Sequence, residues 1–549
     1  MEPISIVLVM LLAVVLSGVL SRMLPWALPL PLVQIAFGAL IALVTDVNIE
    51  LNPEIFFLLF LPPLLFLDGW RIPKDGLFRD IGTILELALG LVAFTVIGVG
   101  LFIHWLIPSM PIAVAFALAA VLAPTDPIAV SAIAARVPIP KRLMHILEGE
   151  ALLNDASGLV CLRFAIAAAL TGTFSAGNAA LTFLWLALGG LAIGIAVAWA
   201  ITRAKGWVSE RYGNDPGSFI LISLLIPFAA YLAAEHVHCS GILAAVAAGF
   251  TMSFVEKPSQ GAAVSRIRRD VVWDMVQFAA NGAIFVLLGE QLPGIFQGAV
   301  DTVQLTGHHE PWWLGIYVLA ITALLASARF VWVWVSLRFT TFRAKRKGQP
   351  TVRPNWRIIA ATSLAGAKGA ITLAGILTLP LALSDGTDFP ARDLAICLAA
   401  GVIIVSLIAA SLGLPLLLKN LDLPPEHEDE AHDAARTRAA EAAIRAVEQA
   451  QHNLADGRVD ADLYAQAGLR VMAYYRQRID TIAFGGNASP EDAASAQRLR
   501  DIERELFRVG IGAEREEILF LGRRQDIHNE TMQKLIREAD LMEARLALR

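Results

Sequence analysis

Charge is scarce in this chain. Only 17% of its 549 residues are Asp, Glu, Lys or Arg, while 56% are hydrophobic and the mean hydropathy is +0.61. An ordinary soluble domain carries roughly a quarter charged residues, so a soluble fold over the whole length is excluded. Cysteine is scarce too. Cys161, Cys239 and Cys397 lie far apart, and neither a CxxC pair nor a Cys/His zinc spacing occurs. No disulfide framework and no structural metal is therefore expected, and the thiols read as small buried apolar residues. The first apolar run, Ile4 to Leu20, has Glu2 but no Lys or Arg ahead of it. It lacks the positive n-region of a secretory signal and reads as a retained membrane helix. A net charge of -5 residing in loops and tail gives no sign of nucleic-acid binding.

What is present is apolar sequence in long runs. A bilayer-spanning helix needs about 20 mostly apolar residues. Such runs fall near 4–21, 26–45, 53–69, 82–107, 111–135, 143–170, 178–202, 217–234, 238–255, 271–291, 313–337, 358–380 and 393–418. The loops between these thirteen runs offer an independent check. One alternating set, from Arg22 to Arg357, holds twenty-one Lys and Arg residues, and the other holds only Arg392. By the positive-inside rule the amino terminus is outside and the tail is cytoplasmic. Thirteen spans suit two six-helix repeats joined by a linking helix, the second inverted relative to the first, which is a common plan for secondary transporters. The fifth span then corresponds to the twelfth. Residues 1–419 are read as an all-α membrane domain and residues 420–549 as a helical cytoplasmic domain.

Ionisable residues within spans are costly and point to function. The fifth span carries Ala123-Pro124-Thr125-Asp126-Pro127 near its middle, where two prolines interrupt the hydrogen-bond ladder. The twelfth carries Leu364-Ala365-Gly366-Ala367-Lys368-Gly369-Ala370, a lysine between two glycines. Two broken, crossing helices bring half-helix ends together, each with roughly half a unit charge. Asp126 can offset the positive ends and Lys368 the negative ones. The sixth span carries Glu148, Glu150, Asn154 and Asp155. Glu148 and Asp155 lie seven residues apart on one face, and Glu150 and Asn154 lie four apart on a neighbouring face. Glu148 and Glu150 lie near the cytoplasmic end of the span, and Asp155 lies deeper. Its carboxylate can hold a proton or a small cation but not both, with oxygens from Thr125, Glu150 and backbone carbonyls completing a Na+ shell. Asp68, beyond Leu61-Pro62-Pro63, and Asn281 are secondary candidates, with Arg163 and Arg329 as counter-ions to the acids.

Together these residues resemble a known family. Thr125-Asp126-Pro127 on a broken helix, then Gly149-Glu150 and Asn154-Asp155 on the next, are similar to the sodium/proton exchangers of the bacterial NhaP and animal NHE type. Phe60-Leu61-Pro62-Pro63-Leu64-Leu65-Phe66, Asn281-Gly282-Ala283-Ile284-Phe285 and Gly366-Ala367-Lys368-Gly369-Ala370 look like further landmarks, in consistent order across residues 1–419. The resemblance implies a homodimer, elevator-type alternating access, and an ion site at Asp155 with Thr125, Asp126, Asn154 and Glu150 around it. The Asn-Asp pair implies electroneutral exchange, since Asn154 has no proton to contribute. Two departures stand out. Ala151 replaces a Ser frequent in archaeal relatives, so water would take the place of one ligand. Lys368 stands where many relatives carry Arg and, as a point charge, would alter any bracket running from Arg through an acid to Asn.

The chain thus reads as a transporter without cofactor or enzymatic residues, exchanging Na+ for H+ in a bacterial inner membrane. K+/H+ exchange is the neighbouring alternative. A channel would need a filter built of carbonyl or charge rings, and no filter-like loop occurs. An aspartyl protease with Asp126 and Asp155 as its dyad would need carboxylates sharing one proton, but these acids stand beside Thr and Asn. The tail opens with an acidic stretch, Pro424 to Asp433, and continues with Ala-, Leu-, Arg- and Glu-rich helical sequence. It is a candidate for dimer contact or for binding a regulatory partner.

Overall fold

In hydrocarbon the backbone has no water to bond, so only helices and closed barrels satisfy its N–H and C=O groups. In the computed structural model of this chain the regular secondary structure among the described residues is helix, apart from an isolated bridge between Ala382 and Asp388, with short non-helical segments such as 123–126 and 365–369 between helices. The structure describes residues 3–23, 29–44, 53–72, 81–126, 141–171, 176–213, 215–255, 263–305, 312–346, 356–383, 387–419, 428–455 and 461–486, with 507, 510–521, 524, 535–536, 538 and 541–543. Two compact units divide the chain, Met1–Leu421 and Asp422–Arg549.

In the first unit the helices are α1 (Pro3–Met23), α2 (Leu30–Val44), α3 (Pro53–Arg71), α4 (Ile81–Leu106), α5 (Ile112–Leu122), α6 (Lys141–Thr171), α7 (Ala176–Tyr212), α8 (Pro216–His236), α9 (Gly241–Val255), α10 (Ala263–Leu305), α11 (Trp312–Arg346), α12 (Trp356–Leu364), α13 (Ala370–Leu377) and α14 (Arg392–Leu418). Every one of the thirteen apolar runs contains helix. Seven of these helices, α4, α6, α7, α8, α10, α11 and α14, are long and apolar enough to cross a membrane, while α1, α2, α5 and α9 hold shorter apolar segments. Pro62 and Pro63 stay inside α3 without ending it. Pro124 does end α5, and the run at 358–380 is split between α12 and α13. Pro127 and the rest of the fifth run lie outside the described residues.

Two sets of helices form by packing. One set is a panel of α1, α2, α3, α7, α8, α9 and α10, in which α2 lies along α10 and both α3 and α7 lie along α9. The other is a bundle of α4, α5, α6, α11, α12, α13 and α14, in which α5 sits between α4 and α6, and α14 backs α11, α12 and α13. Helix α14 also runs beside α10 and joins the sets.

In lipid, helices associate through close packing at small residues rather than by the hydrophobic effect. The panel follows this rule. Gly38 of α2 and Gly289 of α10 face each other so closely that a Cβ on Gly289 would strike the carbonyl oxygen of Ile35 and lie 2.8 Å from the amide nitrogen of Ala39. Gly69 of α3 and Gly249 of α9 repeat the arrangement against Val246 and Phe66. In the bundle, residues Glu86–Leu91 of α4 widen into a π turn, a local bulge frequent at functional sites. The Ser157 hydroxyl of α6 donates to the carbonyl of Ala88 within that turn at 2.9 Å.

The second unit contains α15 (Glu428–Ala455) and α16 (Ala461–Gly486), which pack on each other with Ala440 and Met472 buried.

The glycine contacts give the first prediction. Gly289→Val forces backbone apart at the α2–α10 crossing and costs about 1–3 kcal/mol, as overpacking does. Gly98→Val on α4, where a Cβ meets nothing within 4 Å, leaves stability unchanged. Thermal unfolding of both purified variants, followed by size exclusion after heating, should show a lowered midpoint for the first alone.

Candidate functional site

The site is organised by the place where the chain of α5 and the chain between α12 and α13 both leave helical geometry. Pro124 has no N–H to continue the ladder, so the carbonyls at the end of α5 need other donors. Lys368 provides them. Its Nζ donates to the carbonyl oxygens of Ala123 at 3.2 Å and Pro124 at 2.8 Å. The backbone N–H of Asp126 donates to the carbonyl of Ala367 at 2.8 Å, and that of Lys368 to the Ser406 hydroxyl of α14 at 3.1 Å. The ammonium therefore lies at the negative end of α5. Gly369 precedes α13 in extended conformation (φ -128°, ψ -159°). A Cβ on Gly369 would overlap the carboxylate of Asp126, which therefore lies at the positive end of α13. Each charge thus sits at a helix end of opposite sign.

Helix α6 is drawn onto this crossing at Gly158, where a Cβ would lie 2.8 Å from both the Ala120 carbonyl oxygen and Pro124 Cδ. That approach places Asn154 and Asp155 beside the broken segment. Asn154 Nδ2 donates to Thr125 Oγ1 at 3.0 Å and to Glu150 Oε1 at 3.4 Å. Arg329 of α11 grips Glu150 with both arms of its guanidinium, Nη2 to Oε2 at 2.7 Å and Nη1 to Oε1, while its Nε donates to the Thr362 carbonyl at 3.1 Å. Arg329, Glu150, Asn154 and Thr125 are all buried. Such a fork on a carboxylate is the strong, oriented form of charge-assisted hydrogen bonding.

Three expectations change here. Glu150 was expected to lend an oxygen to the cation, but both its oxygens are held by Arg329. Arg163 was expected as a counter-ion for the site acids, but its Nη2 pairs with Glu235 of α8 at 2.8 Å. A lysine at 368 was expected to alter the bracket from Arg through acid to Asn, but Arg329 forms that bracket from α11. Glu148 is half-buried earlier on α6 and does not line the cavity described next.

Between the panel and the bundle lies a small cavity of about 20 Å³. Asp68 of α3, Asp126 of the broken segment and Asp155 of α6 all line it, with Thr125, Thr372, Gln277 and Asn281. Leu64 and Ile371 give it apolar walls. Carboxylate, hydroxyl and amide oxygens are hard donors, the kind that alkali and alkaline-earth cations take. Among the described residues lining this cavity there is no Arg and no Lys. Both bases near the crossing face a second cavity of about 60 Å³, lined by Arg329, Lys368 and the hydroxyl-bearing Thr95, Thr322, Ser363 and Ser406. Gln277 and Thr372 join the cavity wall without having been expected there from the sequence. A signal existed for Gln277, which precedes Asn281 by one helical turn, and none for Thr372.

The buried bracket predicts a rescue. Arg329→Gln leaves Glu150 charged and unpaired and should cost about 3–5 kcal/mol, the penalty for breaking one side of a buried pair. Adding Glu150→Gln should return much of that stability. Denaturation midpoints of the single and double variants measure it, and strictly additive losses would show that the two side chains are not coupled.

The profile of the sodium/hydrogen exchanger transmembrane family matches residues 7–420. The chain is 41% identical over 555 residues to an uncharacterized Na(+)/H(+) exchanger, YjcE, of Escherichia coli strain K12, covering 100% of this chain and 99% of that one. It is 37% identical over 557 residues to a sodium, potassium, lithium and rubidium/H(+) antiporter of Bacillus subtilis strain 168, covering 99% of this chain and 78% of the relative. Among solved structures, the sodium proton antiporter MjNhaP1 of Methanocaldococcus jannaschii superposes with a TM-score of 0.56 at 20% identity, over 76% of this chain and 99% of that one. That likeness is one of fold. With the profile match and these full-length relatives, the chain belongs to the sodium/hydrogen exchanger family of multi-pass membrane proteins.

Proposed function

We propose that this chain exchanges Na+ for H+ electroneutrally, by alternating access, with Asp155 as the shared seat of the two ions. One observation carries the reading. Three carboxylates, Asp68, Asp126 and Asp155, face one cavity that no Arg or Lys lines among the described residues. A carboxylate taken out of water needs a neutralising partner. Asp126 is answered by the positive end of α13, and Asp68 stands three residues from Arg71 on α3, so Asp155 is the carboxylate whose partner is mobile, a proton or a cation from solution. The two compete for the same oxygens, so each one's arrival releases the other.

The surrounding residues have separate tasks in this scheme. Thr125 and Asn281 offer neutral oxygens to the cation, and Asp126 holds the broken backbone together at Gly369. Arg329 and Glu150 fix Asn154, and Asn154 in turn fixes Thr125. Because Asn154 carries no proton, one Asp is left to carry one charge. The bundle moves against the panel and turns the cavity from one face of the membrane to the other. The basic loops support an outside amino terminus, a cytoplasmic tail and an inner bacterial membrane, and the family supports a homodimer built on two inverted six-helix repeats. Residues 420–549 form a cytoplasmic helical domain that meets a regulatory partner or the second copy. A broader choice of cation, K+ included, is supported by the Bacillus subtilis relative, which is named for four alkali cations.

The test uses everted membrane vesicles with an imposed ΔpH. Added Na+ should collapse the gradient in the wild type, and Asp155→Asn should abolish the response. Repeating the assay with Li+ and K+ ranks the cations, and insensitivity to an imposed voltage checks the one-for-one stoichiometry. A normal Na+ response in Asp155→Asn would falsify the assignment of the seat.

A further inference from the structure

We propose that Arg71 is a tethered competitor at the mouth of the acid-lined cavity, holding with its guanidinium the two oxygens that receive the incoming cation. This inference rests on the exchange reading given above. Arg71 is the last residue of α3. Its Nη1 donates to Gln277 Oε1 at 3.1 Å and its Nη2 to Asp274 Oδ1 at 2.5 Å. Gln277 lines the cavity, whereas the side chains of Arg71 and Asp274 are 38% and 65% exposed. Gln277 thus stands on the cavity wall with the exposed Arg71 and Asp274 beside it, at the end of α3 that leads into the basic stretch holding Lys74 and Arg79.

The polar positions of α10 form a track. Asp274, Gln277 and Asn281 follow one another at spacings of three and four and share one side of the helix. The track runs from the exposed end to the cavity, where Asp68, three residues before Arg71, stands on the same side of α3. Of the exposed positions around Asp274, Val271, Met275 and Phe278 are apolar, and one turn earlier stands a second exposed acid, Asp270. Carboxylates at Asp270 and Asp274, followed inward by the amides of Gln277 and Asn281, set hard oxygen donors along one side of α10.

Arg71 occupies the head of that track as a cation would. A carboxylate oxygen and an amide carbonyl oxygen are hard donors suited to an alkali ion, and the guanidinium engages one of each. Ion and guanidinium therefore compete. The competitor is weakly held, because an ion pair this exposed contributes little and is screened by salt. It opens readily, yet it lowers the apparent affinity for the cation. Arg71 is in this sense a positioning and gating residue, distinct from the deep seat at Asp155.

The experiment uses the full-length protein in everted vesicles and separates half-saturating Na+ from maximal rate. Arg71→Gln should lower half-saturating Na+ about fivefold at low ionic strength, the size expected of an exposed pair, with the maximal rate unchanged. Asp274→Asn should raise it by a similar factor, and Arg71→Lys should stay near the wild type. Raising ionic strength with a large organic cation should narrow the difference between wild type and Arg71→Gln. Loss of a purely structural tie between α3 and α10 would not increase affinity, so the direction of the Arg71→Gln effect is decisive. Unchanged or raised half-saturating Na+ in Arg71→Gln, beside normal wild-type exchange, overturns this inference alone. Wild-type vesicles in which neither Na+, Li+ nor K+ moves protons overturn the exchange reading and this inference with it.

Discussion

The structure depends on satisfying backbone groups that two broken helices leave open inside the membrane. In lipid each such group costs several kcal/mol if unpaired. At the crossing the debt is met from within: Asp126 N–H bonds Ala367, the Lys368 ammonium bonds the carbonyls of Ala123 and Pro124, and Ser406 accepts from the Lys368 amide. A charge on each broken segment answers the helix ends of opposite sign. Gly369 then becomes obligatory for a steric reason, because the space its side chain would fill already belongs to the Asp126 carboxylate.

The electrostatic layout follows from that arrangement. Lys368 turns towards the end of α5 and, with Arg329, faces the cavity behind the crossing. The acids face the cavity in front. Arg329 would be the natural partner for any acid nearby, but Glu150 takes its whole fork. Glu150 is thereby a component of the frame. It orients Asn154, whose amide reaches Thr125, so that one buried ion pair sets the position of a hydroxyl on the cavity wall. A buried pair of this kind contributes less to net stability than its Coulomb energy suggests, and its value here lies in holding a geometry.

Much of this was legible in the sequence because charge inside an apolar run is conspicuous. Asp126, Asp155 and Lys368 stood out for that reason, and Pro124 and the glycines around Lys368 marked the breaks. Partnership between distant spans was not legible. Arg329 and Glu150 are 179 residues apart, and nothing in either span names the other. Arg163 looked a plausible partner for Asp155 by proximity in sequence, yet eight residues of helix separate them by about 12 Å along the axis, so one side chain must look elsewhere, and Arg163 turns to Glu235. Prolines were equally ambiguous. Pro62 and Pro63 sit within α3 while Pro124 ends α5, and only the presence of Lys368 and Ala367 across the crossing makes the second break tolerable. Gln277 and Thr372 are ordinary polar residues until tertiary packing brings them to one wall.

Coupling in such a site needs no lock beyond the cost of an empty ionised carboxylate. Asp155 is only 6% exposed, and Leu64 and Ile371 give the cavity apolar walls. On the proposed reading, the carrier loaded with a proton or with Na+ presents a neutral pair to the hydrophobic seal between panel and bundle. The empty carrier would present an unpaired charge, and burying one costs far more than burying a pair. The loaded forms therefore cross and the empty form stays, which converts two independent binding equilibria into an obligatory exchange. The same reasoning explains why the fixed bases are kept out of the front cavity. A lysine or arginine reaching Asp155 would neutralise it permanently, the empty form would cross as easily as the loaded ones, and the exchanger would leak.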